Sequence, residues 1–308
     1  MRTLACLVAA GMLALSASVA GAGETAIGAA YDTLYSVDIA SHTAAEIGTA
    51  GSYGGVPIVN ISGLSFSPDN VLYAVAGGLG ALARIDPATG QATPVGSFGL
   101  SGQGDPQRND ALDLSMTFDC DGTLWLVSAY ANKLWTANPS NGATTLVGAT
   151  GHTITGIVAH GNVMYGAGGR GDNGFYRIDT ATGAATEIGS FGDGRWINSV
   201  SMSYDDAGVL WAAINYVPPA PGSDTIADWS DLARIDEASG KITFVGPITG
   251  PESLLQIGMK GFAIGPPRCT LGSLPAAAAP VGTPPWLIAL AGLLVIAASA
   301  AIRRRAVR

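Results

Sequence analysis

Apolar and polar residues alternate in short segments along most of this chain, and glycine-rich turns separate the segments. Five segments follow the order small, large, small, large: GLSF (63–66), SMTF (115–118), GIVA (156–159), SMSY (201–204) and GFAI (261–264). A period of two residues is typical of a β-strand whose two faces meet different surroundings. The pattern therefore predicts five related strands, each with one face of small residues.

A longer phrase also recurs five times and predicts a strand, a tight turn and a second strand. Its copies are LYSVDIASHTAAEIG, LARIDPATGQATPVG, LWTANPSNGATTLVG, FYRIDTATGAATEIG and LARIDEASGKITFVG. The closing glycines are Gly48, Gly96, Gly148, Gly189 and Gly246, with spacings of 48, 52, 41 and 57 residues. Four copies carry a glycine at the turn, where a positive φ is needed, and the first has His42 instead. A period of about 40–50 residues is that of a four-stranded propeller blade.

The order of the strands at the two ends predicts how the ring closes. Each blade consists of a small-residue strand A, a strand B and the repeated C–turn–D phrase. The chain begins at a B strand (ETAIGAA) and ends with an A strand in LLQIGMKGFAIG that nothing follows. We therefore expect an all-β, five-bladed β-propeller over residues 23–268, closed by pairing the last A strand with the first B strand.

The ID-x-x-TG part of the phrase resembles turns of NHL-like, YVTN-like and quinoprotein propellers. The quinoprotein pattern implies a tryptophan after the glycine that docks the cofactor. This sequence has Ala, Thr, Ile and Val in that region. The resemblance thus implies a propeller without a quinone, and we expect no cofactor and no metal.

The N-terminal segment has the layout of a secretory signal peptide. Arg2 precedes an apolar stretch over residues 4–15, and small residues follow up to residue 22. We therefore assign residues 1–22 as the signal peptide of an exported protein.

The C-terminal segment predicts a membrane-spanning or sorting helix. A Pro/Ala-rich linker (269–285) leads to residues 286–302, where Ser299 is the one polar residue, and arginines close the segment 286–308. A helix of that length spans about 25 Å, and the arginines would stay cytoplasmic. The layout resembles the PEP-CTERM and IPTL-CTERM sorting tails of Gram-negative bacteria, which implies an exosortase-like processing partner. The propeller would then be displayed outside the cytoplasm, on the cell surface or shed from it.

Charge and cysteine content restrict the partners further. Ten of the 15 basic residues and all 23 acidic residues lie in the body, so its net charge is 10 − 23 = −13. Such a body would repel phosphates, which excludes a nucleic-acid partner. Cys120 and Cys269 remain after export, and we expect a disulfide between them in an oxidising compartment.

Candidate ligand-binding residues lie in the loops that lead into the A strands or join strands B and C, because these loops are long and unequal. They are Asn60, Arg108, Asp113, His152, Arg195, Trp196, Asn198, Trp229 and Gln256, with Lys260 further along. Asp113 is the weak catalytic candidate, with Asp110 or Glu252 as its partner for glycoside hydrolysis. The RGD triplet at 170–172 is attributed to chance, and DCDG (119–122) to an A–B turn.

Two functions remain open from the sequence. The first is a non-catalytic binding protein for polysaccharide or protein. The second is an extracellular hydrolase or lyase with its site at the central channel. The three histidines, His42, His152 and His160, lie on separate loops and turns, so no Ser-His-Asp arrangement is expected.

Overall fold

The computed structural model describes residues 24–192, 194–216, 230–251 and 254–269. In these ranges the chain forms five four-stranded antiparallel sheets, which are the blades of a β-propeller. The inner strands contact one another in the closed cyclic order β6, β10, β14, β18, β22 and back to β6. The predicted five-bladed, all-β architecture is confirmed.

The strands follow the predicted A–B–C–D order in every blade. The first blade contains β1 (Thr25–Ala30), β2 (Thr33–Asp38), β3 (Thr43–Thr49) and the terminal β22 (Gly261–Ala263), and a small hairpin follows it as β4 (Ser52–Tyr53) and β5 (Val56–Pro57). The second contains β6 (Ile61–Phe66), β7 (Leu72–Ala76), β8 (Ala81–Ile85) and β9 (Ala92–Ser97). The third contains β10 (Leu114–Phe118), β11 (Leu124–Ser128), β12 (Lys133–Ala137) and β13 (Thr144–Ala149). The fourth contains β14 (Ile154–His160), β15 (Val163–Gly168), β16 (Gly174–Ile178) and β17 (Ala185–Ser190). The fifth contains β18 (Ile197–Tyr204), β19 (Leu210–Tyr216), β20 (Ser230–Ile235) and β21 (Ile242–Pro247).

The ring closes as predicted, through β22 and β1, but the closing strand is shorter than expected. Gly28 lies opposite Phe262 in this antiparallel pair. The preceding part of LLQIGMKGFAIG is not a strand, because Leu254–Ile257 forms one turn of α-helix (α1). Gly258 follows with a φ of 71°, a left-handed conformation that ends the helical turn.

The small residues of the inner strands connect neighbouring blades. Their hydroxyl groups form hydrogen bonds with the backbone of the neighbouring inner strand, and large side chains would keep the two strands too far apart for these bonds. These bonds are Ser62 Oγ to Leu114 O (2.7 Å), Phe118 N to Ser65 Oγ (3.0 Å), Val200 N to Thr155 Oγ1 (3.1 Å), Ser201 Oγ to Lys260 O (2.6 Å) and Ile264 N to Ser203 Oγ (2.9 Å). They satisfy polar groups that would otherwise be buried without partners where the blades converge.

The closing glycine of each repeated phrase packs against the C–D turn of the next blade. A Cβ at Gly48, Gly96, Gly148 or Gly189 would lie 2.4, 2.0, 1.9 or 2.2 Å from a backbone oxygen of Thr89, Asn141, Thr182 or Ser239. At Gly246 it would lie 2.7 Å from the His42 ring, which closes the series. The turn glycines take positive φ as predicted, and His42 does so with a φ of 47°. The repeated phrase is therefore both a turn and a contact between blades.

The apolar core is divided among the blade interfaces. In the described ranges five clusters of buried side chains each bring together two neighbouring blades. Tyr35, Trp135 and Phe175 are among the largest fully buried side chains. Contacts between neighbouring blades therefore stabilise the fold, and the loops before the A strands are available to form a site.

Candidate functional site

A cavity of about 590 Å³ opens where the inner strands of the second and third blades begin. The chain around residues 97–101 and 109–114 forms one side of it, and the β7–β8 connection forms another. Asn60, Asp113, Tyr130, Arg170 and Lys260 contribute its main polar side chains. These residues come from the first four blades, so the cavity lies at the mouth of the central channel.

Three charged side chains from three blades meet in this cavity. Asp113 Oδ2 accepts hydrogen bonds from Arg170 Nε at 3.1 Å and Nη2 at 2.5 Å. Asp113 Oδ1 accepts one from Lys260 Nζ at 2.9 Å. The side chains of Asp113, Arg170 and Lys260 are 12%, 19% and 24% exposed. We call this group the channel triad, and its net charge is one positive unit.

The channel triad fixes the ionisation of Asp113. Burial alone would raise its pKa, but the positive charges of Lys260 and Arg170 and their hydrogen bonds outweigh burial and hold the pKa below its usual value. Asp113 is therefore an anion at neutral pH and positions two cations. It is not poised to donate a proton at neutral pH.

Backbone strain is concentrated around the same cavity. Nine non-glycine residues of the described ranges have a positive φ, and five of them line the cavity. These five are Asn60 (58°), Asn109 (55°), Asp110 (61°), Asp113 (47°) and Arg170 (57°). Asn and Asp tolerate this conformation better than most residues, and such strain clusters at ligand sites in proteins.

Aromatic and charged side chains contact one another at the rim of the cavity. Two guanidinium groups lie over the Tyr130 ring, with Arg108 at 4.8 Å and Arg170 at 4.6 Å from its centroid. Arg108 also pairs with Asp105 at 3.2 Å. The contact with Tyr130 helps to hold Arg170 at the position from which it bonds Asp113.

Asp110 lines the cavity but directs its carboxylate to its own loop. Its Oδ2 accepts the Gly102 N–H at 2.6 Å, and its Oδ1 accepts the Gly104 N–H at 2.7 Å. These bonds hold the loop in its strained shape, and they leave Asp113 as the carboxylate that faces the two cations.

His152 lies apart from the cavity lining. Its Nδ1 is 3.5 Å from Asp172 Oδ2, and its ring packs on Tyr176 with 4.4 Å between centroids. The Tyr176 hydroxyl donates to Asp172 Oδ1 at 2.5 Å, and burial together with this bond raises the pKa of Tyr176. This group joins a loop of the fourth blade to its C strand.

The remaining predicted residues lie near the start of the fifth blade or outside the described residues. Arg195 pairs with Asp231 at 3.1 Å, and Trp196 is 51% exposed. Asn198 is half-buried in β18, where the pairing with β19 shifts register. Trp229, the signal-peptide segment and the tail segment lie outside the described residues. The backbone of Gln256 belongs to α1, but its side chain also lies outside the described residues. Glu252 lies outside them as well.

Arg170 was not among the candidates chosen from the sequence, whereas Lys260 was named there without being linked to Asp113. Arg170 is 57 residues away in sequence and Lys260 is 147 residues away. In the sequence, Arg170 is noticeable only as the start of an Arg-Gly-Asp triplet. Closure of the ring is what brings these two cations to Asp113, so no local spacing could have revealed them.

The two body cysteines lie beside each other. Both are thiols in this structure. Burial, the hydrogen bond with the Cys269 thiol and the nearby carboxylates together raise the pKa of Cys120 to about 12. The contact joins the β10–β11 turn to the end of the propeller, and the disulfide stays a prediction.

Within the described residues, no group of three or more His, Cys, Asp or Glu side chains could hold a metal ion. In the DCDG turn, Asp119 instead accepts the N–H groups of Asp121 and Thr123 and the Trp125 indole N–H at 2.8 Å. No helix in the same ranges is long and apolar enough to cross a membrane, and the predicted helix at 286–302 lies outside them.

The sequence match that decides the family covers the repeats just described. A family described as a repeat of unknown function, DUF6923, matches residues 33–215. The chain belongs to this DUF6923 repeat family. The matched part of this DUF6923 protein begins at β2 and ends in β19. No curated protein matches the chain.

Three solved structures are similar to this DUF6923 protein at low sequence identity. A chain in the crystal structure of a nidogen/laminin complex is 14% identical with a TM-score of 0.50, over 80% of this chain and 99% of that one. A structural genomics protein of unknown function from Bacteroides thetaiotaomicron is 14% identical with a TM-score of 0.45, over 61% of this chain and 53% of that one. A catalytically inactive virginiamycin B lyase from Staphylococcus aureus is 16% identical with a TM-score of 0.41, over 72% and 69%. At these identities the likeness concerns the fold alone.

Proposed function

We propose that this protein is an exported, non-catalytic binding module that holds a saccharide in the channel-mouth cavity. The observation that supports it is the channel triad, in which Asp113 is committed to Arg170 and Lys260 at a polar, recessed site. Fixed donors in a preformed cavity are suited to binding, because little has to be ordered when a ligand arrives.

The shape of the site favours a saccharide over a folded protein partner. A volume of about 590 Å³ lies within the range of about 300–1,000 Å³ typical of small-ligand pockets. A stable protein interface would need about 800 Å² of surface on each partner. The polar groups of the cavity are recessed at the channel mouth, where a sugar chain end can reach them.

The state of Asp113 argues against the hydrolase alternative. Glycoside hydrolysis uses a carboxylic acid whose raised pKa lets it protonate the leaving group. Asp113 has a lowered pKa because two cations hold it ionised. Asp110, its suggested partner, accepts two backbone N–H groups of its own loop. Asp113 is therefore not in the protonated state that the general acid of this reaction requires.

The proposed location of the protein, outside the cytoplasm, rests on the sequence. The signal-peptide pattern of residues 1–22 and the PEP-CTERM- or IPTL-CTERM-like layout of residues 286–308 support export and display outside the cytoplasm. The NHL- or YVTN-like character of the repeat stays with this proposal. Mass spectrometry of both termini of the native protein tests the address, and an intact residue 1 would contradict export through a cleaved signal.

The binding proposal is tested with the full chain and a panel of neutral and acidic oligosaccharides in isothermal titration calorimetry. We expect saturable binding of at least one saccharide and no cleavage products in chromatography of the mixture. Ser101→Trp places a large side chain on an exposed position of the cavity wall and should abolish binding.

Ala88→Trp is the matched control, because Ala88 is also exposed, lies in the β8–β9 turn and does not line the cavity. It should bind like the unmodified chain. Equal binding by both tryptophan variants, or cleavage of a saccharide that Asp113→Asn abolishes, would overturn the proposal.

A further inference from the structure

We infer that the saccharide is acidic, with a carboxylate held between Arg170 and Lys260 and the next sugar ring packed on Trp196. This inference rests on the proposed function and names the ligand class for the same cavity. Two observations support it: the unused hydrogen-bond donors of two cations, and an exposed indole near one of them.

Two cations of an otherwise acidic protein meet at this cavity. Arg170 and Lys260 line it, and they are two of the ten basic residues of a body that carries 23 acidic ones. Within the channel triad they exceed the single charge of Asp113 by one unit. Charges more than about 8 Å away are largely screened at physiological ionic strength, so the groups beside the triad matter most for a ligand.

The two cations keep donors available for a ligand. Arg170 uses Nε and Nη2 for Asp113, and its Nη1 has no acceptor in the described part of the chain. The Lys260 ammonium has three N–H donors, and one bonds Asp113 Oδ1. Donors on both sides of Asp113 fit a ligand that brings negatively charged acceptor oxygens, since charge-assisted hydrogen bonds are the stronger ones.

The second carboxylate of the cavity lining, that of Asp110, does not bond the two cations. Both its oxygens accept backbone N–H groups of its own loop, although its charge makes the formal charges of the lining sum to zero. A ligand carboxylate at the free donors of Arg170 and Lys260 would meet two cations and the fixed anion of Asp113.

Trp196 supplies an exposed apolar surface beside the Arg170–Gly171 backbone, outside the cavity lining. Its side chain is 51% exposed, and a Cβ built on Gly171 would lie 3.5 Å from its indole Nε1. Arg170 precedes Gly171, and the Arg170 N–H donates to Ile197 O at 2.8 Å, next to Trp196. Indole and Arg170 thus occupy adjoining positions, and an exposed indole can pack on the apolar face of a sugar ring.

The test compares two ligands of the same shape and different charge. Oligogalacturonate and oligomannuronate are each titrated into the full chain alongside their methyl esters, which lack the negative charge. We expect at least one acid to bind at least about tenfold more tightly than its ester, because an ionic hydrogen bond contributes that much. A sulfated oligosaccharide of equal length serves as a second anion.

Variants locate the charge preference. Lys260→Met should remove most of the difference between acid and ester, whereas Lys260→Arg should keep it. Lys241→Met is the control, because Lys241 is exposed in the β20–β21 turn and does not line the cavity. Trp196→Ala should weaken acid and ester by the same factor, and Tyr53→Ala, which removes an exposed aromatic residue of the β4–β5 hairpin, should weaken neither.

Each outcome has one meaning. Equal affinity for acid and ester overturns the inference and leaves saccharide binding intact. Tighter binding of the sulfated chain overturns the assignment of a carboxylate. Binding of neutral saccharides alone also overturns the inference, and failure of every saccharide in both tests overturns the proposed function with it.

Discussion

Replacing Asp113 by asparagine should destabilise the folded protein by about 3 kcal/mol, because it leaves two partly buried cations without their anion. The side chain of Asp113 is 12% exposed and receives three hydrogen bonds from Arg170 and Lys260. Removing one partner of a buried ion pair costs about 3–5 kcal/mol. The two cations retain some contact with water at 19% and 24% exposure, so the lower end of that range applies.

The pH dependence of this loss follows from the lowered pKa of Asp113. In the unfolded chain an aspartate has a pKa of about 3.9. In the folded chain the pKa is lower, so the stabilisation is fully present above pH ~4 and is lost as the pH falls through the folded pKa. The difference between the unmodified chain and Asp113→Asn should therefore be constant from neutral pH down to about 4 and shrink below it.

Urea unfolding of the full chain, followed by tryptophan fluorescence, measures this difference. Asp105→Asn is the matched control, since Asp105 pairs with Arg108 at 3.2 Å on the surface and Asn can still cap the turn at Gln107. An exposed pair of this kind contributes about 0–1 kcal/mol. Equal losses for the two variants, or a difference that grows as the pH falls, would refute the reasoning about the channel triad.

Two further predictions concern the frame of the propeller. Oxidation of Cys120 and Cys269 to a disulfide should stabilise the chain by about 2–4 kcal/mol, measured as a shift in the urea midpoint on reduction, and two titratable thiols after air oxidation would contradict it. Gly142→Ala should lose at least about 1 kcal/mol more than Gly122→Ala in the same unfolding assay, because both glycines have a φ of 78° but only at Gly142 would the Cβ meet a backbone oxygen, that of Gly96 at 2.4 Å. Equal losses would show that this contact between blades adds nothing.

Much of the fold could be predicted because the sequence patterns that specify it lie within short segments and recur in each blade. Period-two segments and the recurring turn phrase identify strands and hairpins directly, and the order of strands at the two ends implies closure of the ring. The short helix at Leu254–Ile257 escaped prediction because its apolar run fits a buried strand equally well. Each closing glycine contacts the turn of the next blade. Because this contact joins residues that are far apart in sequence, the reason for the repeated glycine could not be predicted from the sequence.

The site was only partly predictable for the same physical reason. Asp113 could be chosen because it is an acidic residue at the start of an inner strand. Its partners come from the loop before Gly171 and from the segment before β22, and only the closed ring places them together. His152 and Arg195 occupied equivalent loop positions in the sequence, yet each pairs with a neighbouring Asp instead.

The most direct test of the account is a crystal structure of the full chain with the acidic oligosaccharide that binds most tightly. We predict a carboxylate oxygen within about 3 Å of both Arg170 Nη1 and Lys260 Nζ, with Asp113 still bound to both cations. A sugar chain seated elsewhere on the propeller, with the channel-mouth cavity holding no part of it, would contradict the account.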